Sequence, residues 1–380
     1  MNNYVKNKII SASLDKLAVA KKTPATLLFP EKYLNNQHIQ EAIISKAKKL
    51  LNTKPFSVTE KSVYLVPGMN SHDYQSIMIY SWPDQNNPCA PYIMKDGEIN
   101  PNTQVPELND EKRLYRMTDA VEQLSLAYHL TQNEVYAEKT KELLATWFVN
   151  PETKMNPHLN YAQMTPHKNI GTNWGIIESR NLIKVVTALE ILKESPSFTH
   201  EFQNNVKEWF RNFLDWLTFN NFGQEEKKAK NNHGVWYDAQ ALAFNFLLGN
   251  FEAAKKILRE VCSSRINTQI EPNGKMPAEL KRTRSKHYTE FNLQAFIIIA
   301  TFGDLLGINL WDYKGYNGES IKKALDFFLT YYHTKTPWPY QEISNKKEDE
   351  FIKYIYLADQ HFPNKKYEAI AKEALEATKK

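Results

Sequence analysis

Two stretches of the chain concentrate groups that can move or stabilise a proton. Asn231-Asn232-His233-Gly234-Val235-Trp236-Tyr237-Asp238 packs an amide pair, an imidazole, two aromatic rings and a carboxylate into eight residues, just after the basic run Lys227, Lys228 and Lys230. Downstream, Glu279-Leu280-Lys281-Arg282-Thr283-Arg284-Ser285-Lys286-His287-Tyr288 sets four cations before a tyrosine. With an ordinary pKa near 10, only about one tyrosine in a thousand is ionised at pH 7. Arginine or lysine charge beside it lowers that value and makes Tyr288 usable as a proton shuttle. In an extended segment Arg282, Arg284, Lys286 and Tyr288 share a face, whereas in a helix Arg284 lies beneath Tyr288. The spacing leaves both arginines open as its partner.

Each stretch also has an ordinary structural reading, the first as a capped helix start with a core tryptophan, the second as a solvated basic loop with a packed tyrosine. Taken together they offer more. An amide that binds a carboxylate, an imidazole, an arginine and an activatable tyrosine are the set needed to remove a proton α to a carboxylate. Two rival classes stand beside this one. A glycoside hydrolase needs two carboxylates flanking the scissile bond, for which Asp238 and Glu279 are the available pair. A non-catalytic polysaccharide-binding protein would draw on the 12% aromatic content and the formal charge of +5, but leaves Asn232, His233, Arg282 and Tyr288 without a shared purpose.

The composition is that of an ordinary globular protein: 380 residues, 42% hydrophobic and 24% charged, enough for one large core or two modest ones. A mild excess of 48 basic over 43 acidic residues favours an anionic partner. No zinc-finger spacing, RNP-like motif or basic heptad helix points to nucleic acid. The two cysteines, Cys89 and Cys262, are too few and too distant to form a disulfide framework or a metal site. His72, His158 and His167 lack metal-ligand spacing, so no metal or other cofactor is expected. No run of 18 apolar residues exists, so membrane insertion is not expected. The opening Met1-Asn2-Asn3-Tyr4-Val5-Lys6 has no apolar h-region, which fits either a cytoplasmic protein or the mature form of a periplasmic or secreted one.

The elements that must position these residues are helices. Leu182, Val185, Val186, Leu189 and Leu192 recur at helical spacing, as do Phe202, Val206, Trp209, Phe210, Phe213 and Leu217. Similar patterns cover roughly 38–52, 112–130, 134–148, 239–248, 251–262, 289–306, 318–332, 349–359 and 367–378. Thr131-Gln132-Asn133 offers an N-cap, and Leu248-Gly249-Asn250 puts a glycine where a helix end needs positive φ. About ten helices in tight hairpins, without a fixed repeat, predict an all-α incomplete (α/α) toroid rather than a regular solenoid. The expected organisation is a single domain over 1–380, with an N-terminal extension of 1–37 and a core from about 38. Three stretches break the helical pattern, at about 71–106, 155–174 and 271–288. Their Trp, Tyr and His content marks them as functional loops.

These residues carry a resemblance. Asn231-Asn232-His233 with Trp236, followed by Arg282 and Tyr288, resembles the alginate lyase superfamily of polysaccharide lyases. So do Asp73-Tyr74-Gln75-Ser76 with Tyr80-Ser81-Trp82-Pro83, Asn156-Pro157-His158-Leu159-Asn160-Tyr161-Ala162-Gln163, and Gly175-Ile176-Ile177-Glu178, so that the likeness runs in order over about 70–300. The familiar alginate lyases have Ser-Tyr-Trp after the Asn-Asn-His, where this chain has Gly234-Val235-Trp236, and their arginine-to-tyrosine spacing is one residue longer. In this the chain is more similar to the neighbouring family of glucuronan and alginate lyases, polysaccharide lyase family 38.

The resemblance implies cleavage of an anionic 1,4-linked polyuronate, alginate or glucuronan, by β-elimination to 4,5-unsaturated ends. By that analogy Asn232 and His233 hydrogen-bond the substrate carboxylate, Arg282 adds charge, and Tyr288 protonates the leaving O4. Asn173 is then expected to bind the carboxylate and Glu178 to orient it. His158, Asn160, Tyr161, Tyr74, Trp82, Trp236, Tyr237, Arg284 and His287 are candidates for lining sugar subsites.

Overall fold

The computed structural model describes residues 27–87, 90–165, 168, 170–344, 351–362 and 365–377. Cys89, His167 and most of the expected N-terminal extension lie outside this range. The described residues pack as two compact units, Asn35–Lys228 and a second in which residues 27–34 join those from Ala229 onward.

In the first unit the helices are Gln37–Leu50 (α1), Glu111–Thr131 (α2), Glu134–Leu144 (α3), Leu182–Leu192 (α4), His200–Phe219 (α5) and Asn221–Lys227 (α6). Helix α2 is the hub, in contact with α1, α3 and α4, and it buries Leu114, Met117, Val121 and Leu124 along one stripe. Between α2 and α3 the chain turns on Gln132 in the left-handed region (φ 54°), after which the Asn133 side chain accepts the Val135 N–H as an N-cap. The aromatic row foreseen in α5 is internal. Trp209 stacks on Phe213 at 5.1 Å and donates its indole N–H to the Met155 carbonyl at 2.6 Å, anchoring the second irregular stretch.

The first irregular stretch is buried near its start. Asp73, Tyr74, Gln75, Ser76 and Ser81 are all buried. A backbone can enter a core only if its polar groups find partners. Here Gln75–Ile77 (β1) pairs in parallel with Tyr161–Met164 (β4), and Ser81–Trp82 (β2) pairs antiparallel with Ile93–Met94 (β3). The Gln75 side chain donates to the Val63 and Glu107 carbonyls, and Asp110 accepts the Gln75 N–H while ion-pairing with the buried Lys61 at 3.0 Å.

In the second unit the helices are Asn232–Leu247 (α7), Phe251–Val261 (α8), Ser285–Leu305 (α9), Ile321–Leu329 (α10), Ile352–His361 (α11) and Lys365–Ala377 (α12). Helix α7 packs against α8 and α9, and α7 and α9 are buried on nearly every side. Gly249 follows α7 at φ 76°, the geometry that its turn requires. Residues 27–34 join this unit through Lys32 to Asp359 at 2.9 Å and Lys353 over the Phe29 ring at 4.3 Å. Among the described residues no helix is long and apolar enough to cross a membrane.

Helices α7 and α9 begin earlier than their apolar periods, near 239 and 289, announced. Their first turns are polar, so periodicity starts one turn or more inside each helix. Asn231 caps α7, its side chain accepting the His233 N–H at 3.2 Å. The N-cap residue of α9, Arg284, makes no side-chain cap, and residues 341–343 supply the partners instead. The Glu342 carboxylate accepts the His287 N–H at 3.1 Å, Gln341 accepts the Ser285 N–H, and Ile343 donates to Thr283.

Candidate active site

Asn232, His233, Arg282 and Tyr288 all belong to the second unit, and two first turns place three of them. Asn232 and His233 open α7, and Tyr288 closes the first turn of α9, its N–H bonded to the Arg284 carbonyl. Arg282 lies just before α9 with its guanidinium 3.7 Å from the centre of the Tyr288 ring. A planar cation at that distance over the ring face is a stacked cation–π pair. This settles which arginine attends the tyrosine. Arg284, the helical alternative, lies in an antiparallel bridge to Glu342, and its buried Nε has no hydrogen-bond partner.

Beneath this pair lies a carboxylate whose place in the site sequence spacing did not reveal. Glu279, in the one-turn helix Pro277–Leu280, is fully buried. One oxygen accepts the Asn232 backbone N–H at 2.7 Å and the other accepts the Asn232 side-chain amide, also at 2.7 Å. Burial holds the Glu279 carboxyl above the ordinary carboxylate range, and the two Asn232 donors with the charges of Arg282 and His233 offset that only in part. Asn232 itself has no exposed surface, so its amide reaches Glu279 and not a solvent-borne carboxylate. His233, by contrast, is half-buried at a helix N-terminus, where the peptide dipoles favour an anion.

The aromatic candidates of this unit pack rather than line a surface. Trp236 and Tyr237 are each 4% exposed, and Trp236 lies 5.0 Å from the Phe291 ring. Burial, followed by the charge of Asp238, pushes the Tyr237 phenol up to about 12. His287 stacks on Phe291 at 5.9 Å and meets the Tyr288 ring edge-on at 5.2 Å, so an aromatic layer braces the tyrosine from behind. The two acids that hydrolysis would need are both buried and engaged, Glu279 with Asn232 and Asp238 with Arg265 at 2.7 Å.

In the Asn35–Lys228 unit the strand pair β1–β4 brings two of the quoted segments together. Tyr74 is fully buried and donates its hydroxyl to Glu178 at 2.8 Å, as does Ser76 at 2.7 Å, so Tyr74 serves a carboxyl group and offers no face to a sugar. Burial, followed by the charge of Glu111, pushes Glu178 up to about 8. The folded chain therefore keeps a proton that the unfolded chain releases near the ordinary value of 4.5, and stability falls as pH rises between those two values. Glu178→Gln is expected to flatten that decline. Thermal midpoints of the two proteins from about pH 5 to 8 test this, and parallel curves would refute it.

The other candidates of this unit are half-buried. His158 reaches Asp73 at 3.3 Å through Nε2 and faces Tyr161 edge-on at 6.2 Å. Asn160 accepts the Trp216 indole N–H at 2.9 Å. Asn173 donates to the buried Glu226 at 2.9 Å. Trp82 donates to the Glu98 carbonyl at 2.9 Å under the Lys95 ammonium, 4.8 Å from its ring. Among the described residues no group of three or more His, Cys, Asp or Glu could hold a metal ion, and Cys262 is a free, buried thiol.

Comparison with known proteins gives these placements a context. The model of the family described as alginate lyase matches residues 57–338. No protein of curated function matches by sequence. Among solved structures, an alginate lyase from Bacteroides ovatus is 33% identical with a TM-score of 0.82, the match covering 96% of this chain and 93% of that one. Alginate lyase A1-III from Sphingomonas species A1 is similar in fold alone, at 15% identity and a TM-score of 0.56, over 92% of this chain and 91% of its own. A variant of A1-III complexed with a tetrasaccharide matches over the same shares at 14% identity and a TM-score of 0.55. The fold class is thus the all-α, α/α-toroid class expected from the helical periods.

Proposed function

Because the chain belongs to the alginate lyase family, it is a polysaccharide lyase acting on alginate-like polymers, and we propose that it cleaves polymannuronate blocks by β-elimination with Tyr288 as the proton-transfer group. The observation that carries this reading is the Arg282 guanidinium stacked 3.7 Å over the Tyr288 ring, in the same unit as the half-buried His233.

The difficult step is removal of the proton at C5 of the uronate. The C5–H bond breaks, its electron pair becomes the C4=C5 double bond, and the C4–O4 bond breaks with O4 taking a proton. Negative charge builds on the C6 carboxylate as the C5 proton leaves. His233 and Arg282 are the groups proposed to hold that charge, and a well-placed donor of this kind lowers a barrier by about 3 to 4 kcal/mol. In β-mannuronate and β-glucuronate the C5 hydrogen and O4 lie on one ring face. One tyrosine can therefore take the first proton and return one to O4. In guluronate they lie on opposite faces, and His233 would have to act as the base.

Incubation with polymannuronate, polyguluronate and glucuronan in parallel, following ultraviolet-absorbing unsaturated ends, tests the proposal. Polymannuronate is expected to turn over fastest. Saturated ends would overturn the elimination, and a preference for polyguluronate would overturn the single-tyrosine route.

A further inference from the structure

We infer that Glu279 is a positioning residue of the elimination, holding the first turn of α7 and the charge balance around His233 and Arg282 without touching substrate. This rests on the reading of the site given above. Three observations lead to it. The first turn of any helix leaves backbone N–H groups without partners inside the helix. At α7 one of them, on Asn232, is taken by a side chain 47 positions away at 2.7 Å. The same carboxylate takes the Asn232 amide at 2.7 Å, so a buried two-point clamp fixes Asn232 and, through the shared backbone, His233 beside it. Both oxygens accept from N–H donors, as those of an ionised carboxylate do. Finally, Arg282 follows Glu279 by three positions and stacks on Tyr288, so one short segment ties the opening of α7 to the tyrosine.

A fixed negative charge in that place has a chemical consequence. It disfavours the phenolate of Tyr288, and so helps to set the pH at which the tyrosine gives up its proton. Its removal eases that ionisation.

Glu279→Gln keeps the volume, removes the charge and turns one acceptor into a donor facing the Asn232 amide. Its kcat is expected to fall at least about 30-fold with KM within about twofold, and its pH–rate profile to move toward lower pH by roughly half a unit or more. Activity within threefold of the parent overturns the inference, as does a loss of activity with an unmoved pH profile, the mark of a merely structural role. If the glutamine variant does not fold, Glu279→Asp replaces it, keeping the charge on a shorter stem. The aspartate variant is expected to lose kcat with its pH profile in place, and an unchanged kcat would overturn the inference. Tyr288→Phe, assayed alongside, separates the two proposals: an active Phe variant removes Tyr288 as the proton-transfer group, whereas an inactive one beside a parent-like Glu279→Gln removes only the role of Glu279.

Discussion

Tyr288→Phe is expected to lose unsaturated-product formation by at least about a thousandfold while unfolding close to the parent. The size follows from the proposed double duty of the hydroxyl. A single positioned acid or base contributes about 10² to 10⁴ in rate, and here one group serves both transfers. The small effect on stability follows from the packing. The ring stays under the Arg282 guanidinium at 3.7 Å and against His287 at 5.2 Å, and only an oxygen at a residue that is 8% exposed is lost. Removing one such hydroxyl costs on the order of 1 kcal/mol. Product absorbance in a continuous assay, with a thermal melt of the same sample, decides the matter. A Phe variant retaining a tenth of the parent rate would assign the proton transfers elsewhere, first to His233.

How much of this was legible in the sequence depends on the range of the interactions. Helix α4 was read from its apolar period because Leu182, Val185, Val186, Leu189 and Leu192 are all buried along one side. Local signals also announced the Asn133 cap and the Gly249 turn, each acting within a few residues. The starts of α7 and α9 were hidden because polar first turns carry no apolar period, and the α9 partner Glu342 lies 55 positions from His287. The catalytic candidates emerged as residue types, but spacing left Arg282 and Arg284 both open, and the resemblance named Arg282, the arginine that stacks on the tyrosine in three dimensions. Nor could it separate a tyrosine at a surface from one that is wholly internal, which is why Tyr74 was grouped with sugar-lining residues when it serves Glu178. Glu279 was weighed only as an acid for hydrolysis, because its bond to Asn232 spans 47 positions.

The departure Gly234-Val235-Trp236, where familiar relatives have Ser-Tyr-Trp, has a physical cause that leads to the second large effect. A Cβ at Gly234 would stand 2.2 Å from the Ala229 carbonyl oxygen and 2.7 Å from a guanidinium nitrogen of Arg265. That guanidinium donates to the Ala229 carbonyl at 2.7 Å and to Asp238 at 2.7 Å. Asp238 lies one turn along α7 from Gly234, so both positions lie on the face against which Arg265 is laid. With side-chain exposures of 6% and 8%, Arg265 and Asp238 form a buried ion pair bracing the turn that carries His233. Taking one partner from such a pair leaves an uncompensated charge in a poor solvent. Arg265→Ala is therefore expected to destabilise the protein by about 3 to 5 kcal/mol, whereas Arg265→Met with Asp238→Leu, which removes both charges, should restore most of that loss. Denaturant unfolding of the two singles and the double measures the coupling, and a loss below about 1 kcal/mol for Arg265→Ala would mean that the pair does not brace α7. By the same geometry Gly234→Ser has no room while Arg265 is present, so its cost should shrink in the Arg265→Ala background. Full additivity of the two would place the clash at the Ala229 carbonyl alone.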